Sequence, residues 1–323
     1  MSPAMPEGPA ALAPEWRSPW WRLFDRPHDP RPPRRRPRLD RLLARLVPAG
    51  TGRHTTLPGA DGGPEVTAYL YEAPDRPRPS GALLWMHGGG MVVGAPWIDH
   101  RLCDRLAREL GLLVVSVDYR LAPEHPFPAA VEDCWAALEW LHGRADELGV
   151  DPARIGVAGA SAGGGLAASV AQMAYDRGLP LAFQGLVYPM LDDRTVLRED
   201  HGGRGTMVWT PAHDRDAWGW YLGHPVRAEE DRAYAVPARR DDLAGLAPAW
   251  VGVGTADLFH DEDVAYAERL RDAGVPVELV VVPGMPHAAD MVPGLVAAQS
   301  FRASFVTAVD RAVGGRARER QSE

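Results

Sequence analysis

The chain has 323 residues, room for two average domains or one large α/β domain, with 46% hydrophobic residues and a formal net charge of −8. That apolar share is ordinary for a globular protein, and no run nears the ~18 uninterrupted apolar residues a membrane-spanning helix requires. The acidic balance gives no general reason to expect a polyanionic partner, and two cysteines, Cys103 and Cys134, are too few for a disulfide framework.

Residues 1–50 are rich in Pro, Arg and Trp and read as a peripheral arm with one helix at Leu39–Leu46. Met1 to Pro14 holds Glu7 and several prolines but no basic cluster leading into an apolar segment, so no secretory signal is read there and a cytoplasmic protein is expected. All 35 basic residues are arginine, and Arg31 to Arg45 (RPPRRRPRLDRLLAR) is locally basic. It has the charge density for an anionic partner but little aromatic interleaving, so a solvated arm is the preferred reading and no nucleic acid is expected.

The rest alternates strand with helix. Strands are predicted at Glu65–Ala73, Gly81–Met86, Leu112–Val117, Arg154–Ala158, Phe183–Tyr188, Ala249–Val253 and Val277–Val282. Helices are predicted at Asp99–Leu110, Ala129–Leu148, Ala162–Tyr175, Asp261–Ala273 and Leu295–Val313. Cys103 and Cys134 fall in two of these helices, where a buried, inert thiol is expected. Central strands that are apolar throughout, separated by helices, imply a mostly parallel sheet of the eight-stranded type, covered on both faces by right-handed crossovers. Asp192 to Asp242 breaks the rhythm: it is polar, carries Trp209, Trp218, Trp220 and Tyr221, and offers helices but no apolar strand. A connection this long is expected to be functional, here a cap over a site together with the arm. The predicted organisation is an arm (1–50), an α/β core (51–191 and 243–323) and a cap insertion (192–242).

Gly159-Ala160-Ser161-Ala162-Gly163 fits G-x-S-x-G at a strand-to-helix turn. Glycines on either side tolerate a sharp turn and lift the serine hydroxyl above the sheet, with the helix N-terminus aimed at the reaction centre. A plain Gly/Ala loop opening a helix would explain the pentapeptide alone, but not its strand and helix context. His87-Gly88-Gly89-Gly90 follows another apolar strand, and successive glycines can aim backbone N–H groups at a developing oxyanion. The Lys-Ser/Thr of a phosphate-binding loop is missing from it. His87 is expected to order the loop by hydrogen bonding, not to act as a base.

A serine hydroxyl is a weak nucleophile and needs a base, and in this architecture the order is serine, acid, histidine. Asp257 follows the strand Ala249–Val253 and His287 follows Val277–Val282, so both sit at carboxyl ends of strands, where parallel sheets assemble their sites. Asp257 would orient the imidazole, and His287 would shuttle the proton. Asp261 or Asp263 remains open as the acid, since an Asp past a strand end is often a helix cap.

At these residues the sequence resembles the bacterial hormone-sensitive-lipase-like esterases of the α/β-hydrolase superfamily, from about Ala82 to Val292. The match runs through His87–Gly90, Gly159–Gly163, Asp118–Ala130, Tyr188-Pro189, Asp257-Leu258 with Asp261-Glu262, and Gly284–His287. The resemblance implies oxyanion donors at the N–H groups of Gly89, Gly90 and Ala162, with Gly88 and His87 ordering the loop. It also implies a cap built from the arm and residues 192–242, and a preference for short to medium acyl chains. Three departures stand out: Ala160 where the family often has an acidic residue, Ala288 where a glycine usually follows the histidine, and an Arg-rich arm longer than expected.

The expected activity is hydrolysis of a small-molecule carboxylic ester, without a metal or organic cofactor. A deacetylase or acyltransferase acting on a metabolite would share the acyl-enzyme chemistry, and a ligand-binding protein could keep the fold without turnover. No membrane span is expected, and a homodimer is left open.

Overall fold

In a computed structural model, residues 12–17, 29, 31, 52–292 and 294–314 are described. The helix predicted at Leu39–Leu46 and nearly all of the basic run lie outside these residues.

Eight strands form one sheet: β1 (Arg53–Leu57), β2 (Val66–Tyr71), β3 (Ser80–Met86), β4 (Leu113–Asp118), β5 (Val150–Ala160), β6 (Phe183–Val187), β7 (Ala249–Gly254) and β8 (Val277–Val282). Their spatial order is β1-β2-β4-β3-β5-β6-β7-β8, with only β2 antiparallel to its neighbours β1 and β4. Among the described residues seven α-helices connect them: α1 (His100–Leu110), α2 (Ala129–Gly143), α3 (Ala145–Leu148), α4 (Ala162–Asp176), α5 (Pro211–Leu222), α6 (His260–Asp272) and α7 (Val296–Val313).

The central strands β3 to β7 are largely apolar because both faces are covered. Leu84 and Met86 of β3 join an apolar layer with Leu138 of α2, Leu166 of α4 and Leu270 of α6. The alternate residues Leu83 and Trp85 join the opposite layer with Leu106 of α1 and Phe301 and Phe305 of α7. One strand therefore feeds two cores through its two-residue period. Cys103 and Cys134 are buried, and burial raises both thiols well above their ordinary pKa.

Two predicted elements differ. The helix read as Ala129–Leu148 breaks at Arg144, whose φ of −115° and ψ of 17° are not helical, and its last turn becomes the separate α3. The edge strand β1 was missing from the expected strands, because its sequence RHTTL buries only Leu57 fully and carries no apolar alternation. Between β6 and β7 the chain builds α5 and short 3-10 turns at Asp193–Leu197 and Pro237–Arg239. No helix of the described residues is long and apolar enough to cross a membrane.

Candidate active site

The carboxyl ends of β3, β5, β6, β7 and β8 gather five loops. After β5, Ser161 adopts φ 57° and ψ −122°, and α4 starts at the next residue. The turn is tight enough that a Cβ on Gly163 would lie 2.1 Å from the Met86 carbonyl oxygen of β3, so only glycine fits there. The Ser161 N–H donates to Val187 O at 2.9 Å, and its carbonyl accepts from Gly165 N at 3.1 Å and Met190 N at 3.0 Å. This backbone, sparsely populated and costing about 1–3 kcal/mol, is over-determined by its neighbours.

His287 and Asp257 arrive from the loops after β8 and β7. Ser161 Oγ lies 3.0 Å from His287 Nε2, and His287 Nδ1 lies 2.8 Å from Asp257 Oδ2. A carboxylate only accepts, so Nδ1 carries the hydrogen and the Nε2 lone pair faces the serine hydroxyl. Asp257 Oδ1 accepts the Phe259 N–H at 3.0 Å, which fixes the carboxylate plane. Ser161, Asp257 and His287 are 6%, 0% and 4% exposed, so the chain of bonds is shielded from water along most of its length. The two other acid candidates are placed elsewhere: Asp261 pairs with His260, Arg198 and Arg204, and neither carboxyl oxygen of the buried Asp263 has a hydrogen-bond partner among the described residues.

The glycine loop after β3 flanks the serine. A Cβ on Gly88 would stand 3.4 Å from Ser161 Cβ, and Gly89, with φ 123°, would clash with the Val93 carbonyl at 2.0 Å if it carried one. His87 Nδ1 donates to Gly88 O at 2.7 Å, and its ring stacks on Tyr119 at 4.2 Å. Tyr119 donates its hydroxyl hydrogen to the His87 carbonyl at 2.7 Å. The N–H of Ala162 opens α4 beside Ser161, where unpaired amide groups and the helix dipole favour negative charge.

One support was not read from the sequence, and a second was read only as part of the cap. Tyr188 meets the His287 ring edge-on with centroids 4.9 Å apart, and its hydroxyl donates to Asp290 Oδ1 at 2.7 Å. Asp290 in turn accepts Arg302 Nε at 3.2 Å, tying the histidine loop to α7. The second is the arm: Leu12 and Trp16 belong to the same buried cluster as Met285 and Ala289, and a Cβ on Gly284 would come within 2.3 Å of Ala13 N. Backbone strain gathers here as well. Met91, Ser161, Tyr188, Val208 and Ala288 all have φ between 37° and 63°, with only Asp61 and Tyr234 as further non-glycine examples among the described residues. The family's usual glycine at position 288 has its reason in the φ of 56°.

Buried acids surround the site. Glu262 accepts from Leu191 N, Asp192 N and the Thr195 hydroxyl, and burial first, then the Asp214 charge, raises its carboxyl well above the usual range. Asp263 is raised likewise by burial and by the charges of Glu262 and Asp257. No group of three or more His, Cys, Asp or Glu among the described residues is arranged to hold a metal ion.

A parallel sheet with a serine on a strained strand-to-helix turn, a histidine and an acid from later strand ends, and a glycine loop beside them define a hydrolase of the α/β type. The family model described as alpha/beta hydrolase fold matches residues 83–291. Esterase LipI of Mycobacterium tuberculosis is 42% identical over 204 residues, 61% of this chain and a little under two thirds of its own length, at 62%. Carboxylesterase NlhH of the same species is 38% identical over 237 residues, covering 71% of this chain and 72% of its own. Among solved structures, a bacterial heroin esterase superposes with a TM-score of 0.85 at 36% identity, covering 94% of this chain and 98% of that one. The chain belongs to the alpha/beta hydrolase fold family, in its hormone-sensitive-lipase-like branch. Its relatives support an ester-hydrolysing serine enzyme.

Proposed function

We propose that this protein hydrolyses small carboxylic esters of short to medium acyl chain through an acyl-enzyme on Ser161. Ser161 Oγ attacks the ester carbonyl while His287 Nε2 takes its proton, and Asp257 steadies the imidazolium. The N–H groups of Gly89, Gly90 and Ala162 receive the oxyanion, a contribution of about 3 kcal/mol per donor in such sites. As the tetrahedral intermediate collapses, His287 returns the proton to the departing alcohol. A water then enters, gives a proton to His287 and attacks the acyl carbon; as this second intermediate collapses, the acyl–Oγ bond breaks, His287 returns the proton to Ser161 Oγ and the acid leaves.

The observation that carries this reading is the unbroken Ser161–His287–Asp257 hydrogen-bond line at 3.0 and 2.8 Å beside the glycine loop. In the same reading, residues 192–242 and the arm form the cap, and the enzyme works in the cytoplasm as a monomer or homodimer. The test is hydrolysis of p-nitrophenyl acetate, butyrate, octanoate and palmitate by the wild type and Ser161→Ala. The expected loss is about 10³-fold or more in kcat, with a burst of p-nitrophenol only in the wild type. Equal turnover by both proteins would remove Ser161 from the mechanism.

A further inference from the structure

The indole of Trp209 is laid directly on the glycine loop. A Cβ on Gly90 would fall 2.4 Å from Trp209 Cη2 and 3.2 Å from the Ala217 Cβ of α5. The centroids of this indole and of the His287 imidazole are 6.4 Å apart, so Trp209 borders both the glycine loop and the histidine that faces Ser161.

This placement is held at a cost. The preceding residue, Val208, is β-branched and takes φ 63°, an uncommon conformation for its type. Trp209 Nε1 donates to Asp214 Oδ1 at 3.0 Å. Thr210 caps α5 between them, its hydroxyl accepting the His213 N–H at 3.3 Å. Asp214 is fully buried, and its second oxygen has no hydrogen-bond partner among the described residues. A buried carboxyl with a single side-chain donor is an expensive way to fill space, and what it does here is fix one indole.

The departing alcohol lies toward His287 Nε2, which protonates its oxygen, while the indole, seated on Gly90 with its centroid 6.4 Å from that of the imidazole, overhangs the glycine loop that flanks the ester carbonyl. We propose that Trp209, anchored by Asp214, is the wall that limits the acyl group, so that the preferred substrates are esters of short acids such as acetate and butyrate with the alcohol left freer in size. This rests on the assignment of Ser161 and the glycine loop made above. Burial, with the charges of Asp193 and Asp257 adding to it, raises the Asp214 carboxyl and favours its uncharged form, which an Asn matches in shape and as acceptor.

The test measures kcat/KM for p-nitrophenyl acetate, butyrate and octanoate, and separately for methyl, butyl and octyl acetate, in the wild type, Trp209→Ala, Trp209→Phe, Asp214→Asn and Asp214→Leu. Trp209→Ala is expected to raise the octanoate-to-acetate ratio about tenfold or more, while the alkyl acetate ratios stay within about twofold. Trp209→Phe shifts it less, and serves if the alanine variant does not fold. Asp214→Asn keeps the acceptor and the wild-type ratio, whereas Asp214→Leu releases the indole and moves the ratio as Trp209→Ala does. An acyl ratio unmoved in both Trp209 variants, or a change confined to the alkyl acetates, overturns the proposal. Failure of the underlying assignment shows separately, as p-nitrophenyl acetate turnover that survives Ser161→Ala.

Discussion

The carboxylate of Asp257 is divided between two partners: Oδ2 meets His287 Nδ1 at 2.8 Å, and Oδ1 accepts the Phe259 N–H at 3.0 Å. The backbone bond fixes the plane of the acid, and the acid fixes the tautomer of the base. Asp257→Asn keeps the shape but can offer its NH₂ to Nδ1, which turns the Nε2 hydrogen toward Ser161. A loss of about 10⁴-fold in kcat is expected, with little change in melting temperature. Steady-state kinetics beside a thermal melt check it, and a loss below about tenfold would mean that another acid serves His287.

Tyr188 separates a ring contact from a tether. Tyr188→Phe keeps the edge-on contact with His287 but removes the hydroxyl bond to Asp290. The Asp290–Arg302 pair remains. The histidine loop then has one anchor fewer, and kcat should fall about fivefold to tenfold with KM nearly unchanged, since misplacement of a base acts on the chemical step. A rise in KM alone would place Tyr188 in substrate binding instead.

Ala288 carries a left-handed backbone, φ 56° and ψ 19°, directly after His287. That conformation costs a non-glycine residue roughly 1–2 kcal/mol. Glycine removes this strain but adds about 0.4–1 kcal/mol of unfolded-chain entropy. The strain is the larger quantity, so Ala288→Gly should stabilise by about 0.5–1 kcal/mol, or roughly 1–3 °C in melting temperature. A calorimetric melt showing destabilisation would indicate that the alanine methyl packs more strongly than its strain costs.

Asp214 makes stability depend on pH. Its carboxyl titrates near 8 in the fold, raised by burial first, against about 4 in the unfolded chain. Between those values the folded state holds a proton the unfolded state lacks, so this contribution is complete below about 4 and is lost as pH rises through about 8. Glu262 and Asp263, raised for the same reason, act in the same direction. Glu230 acts oppositely: its bonds to Arg232 hold it down to about 2, and its contribution is lost as pH falls toward that value. The wild type should therefore melt lower at pH 9 than at pH 6, and Asp214→Asn should narrow the gap by roughly 2 °C or more. Parallel curves for the two proteins would show that Asp214 does not titrate in this range.

Elements whose signal is local were legible in the amino-acid sequence alone. Apolar runs ending at Met86, Ala158 and Val282, and glycines around Ser161 and after His87, announce buried strands that feed sharp loops, because a strand covered on both faces has no polar period and a turn of that kind needs residues without side chains. Chain order then indicated a serine, an acid and a histidine at three strand ends. Whatever depends on approach between distant segments was settled only by the packed fold. It selected Asp257 over Asp261 and Asp263 as the partner of His287, since all three follow β7 and only packing determines which carboxylate faces the imidazole. It also set Trp209 on Gly90, Tyr188 against His287 and Ala13 beside Gly284. Polar edge pairing such as β1, and the buried acids Asp214 and Glu262, were illegible in the sequence because burial belongs to the packed molecule: a carboxyl in a polar stretch shows its environment only when the fold has closed over it.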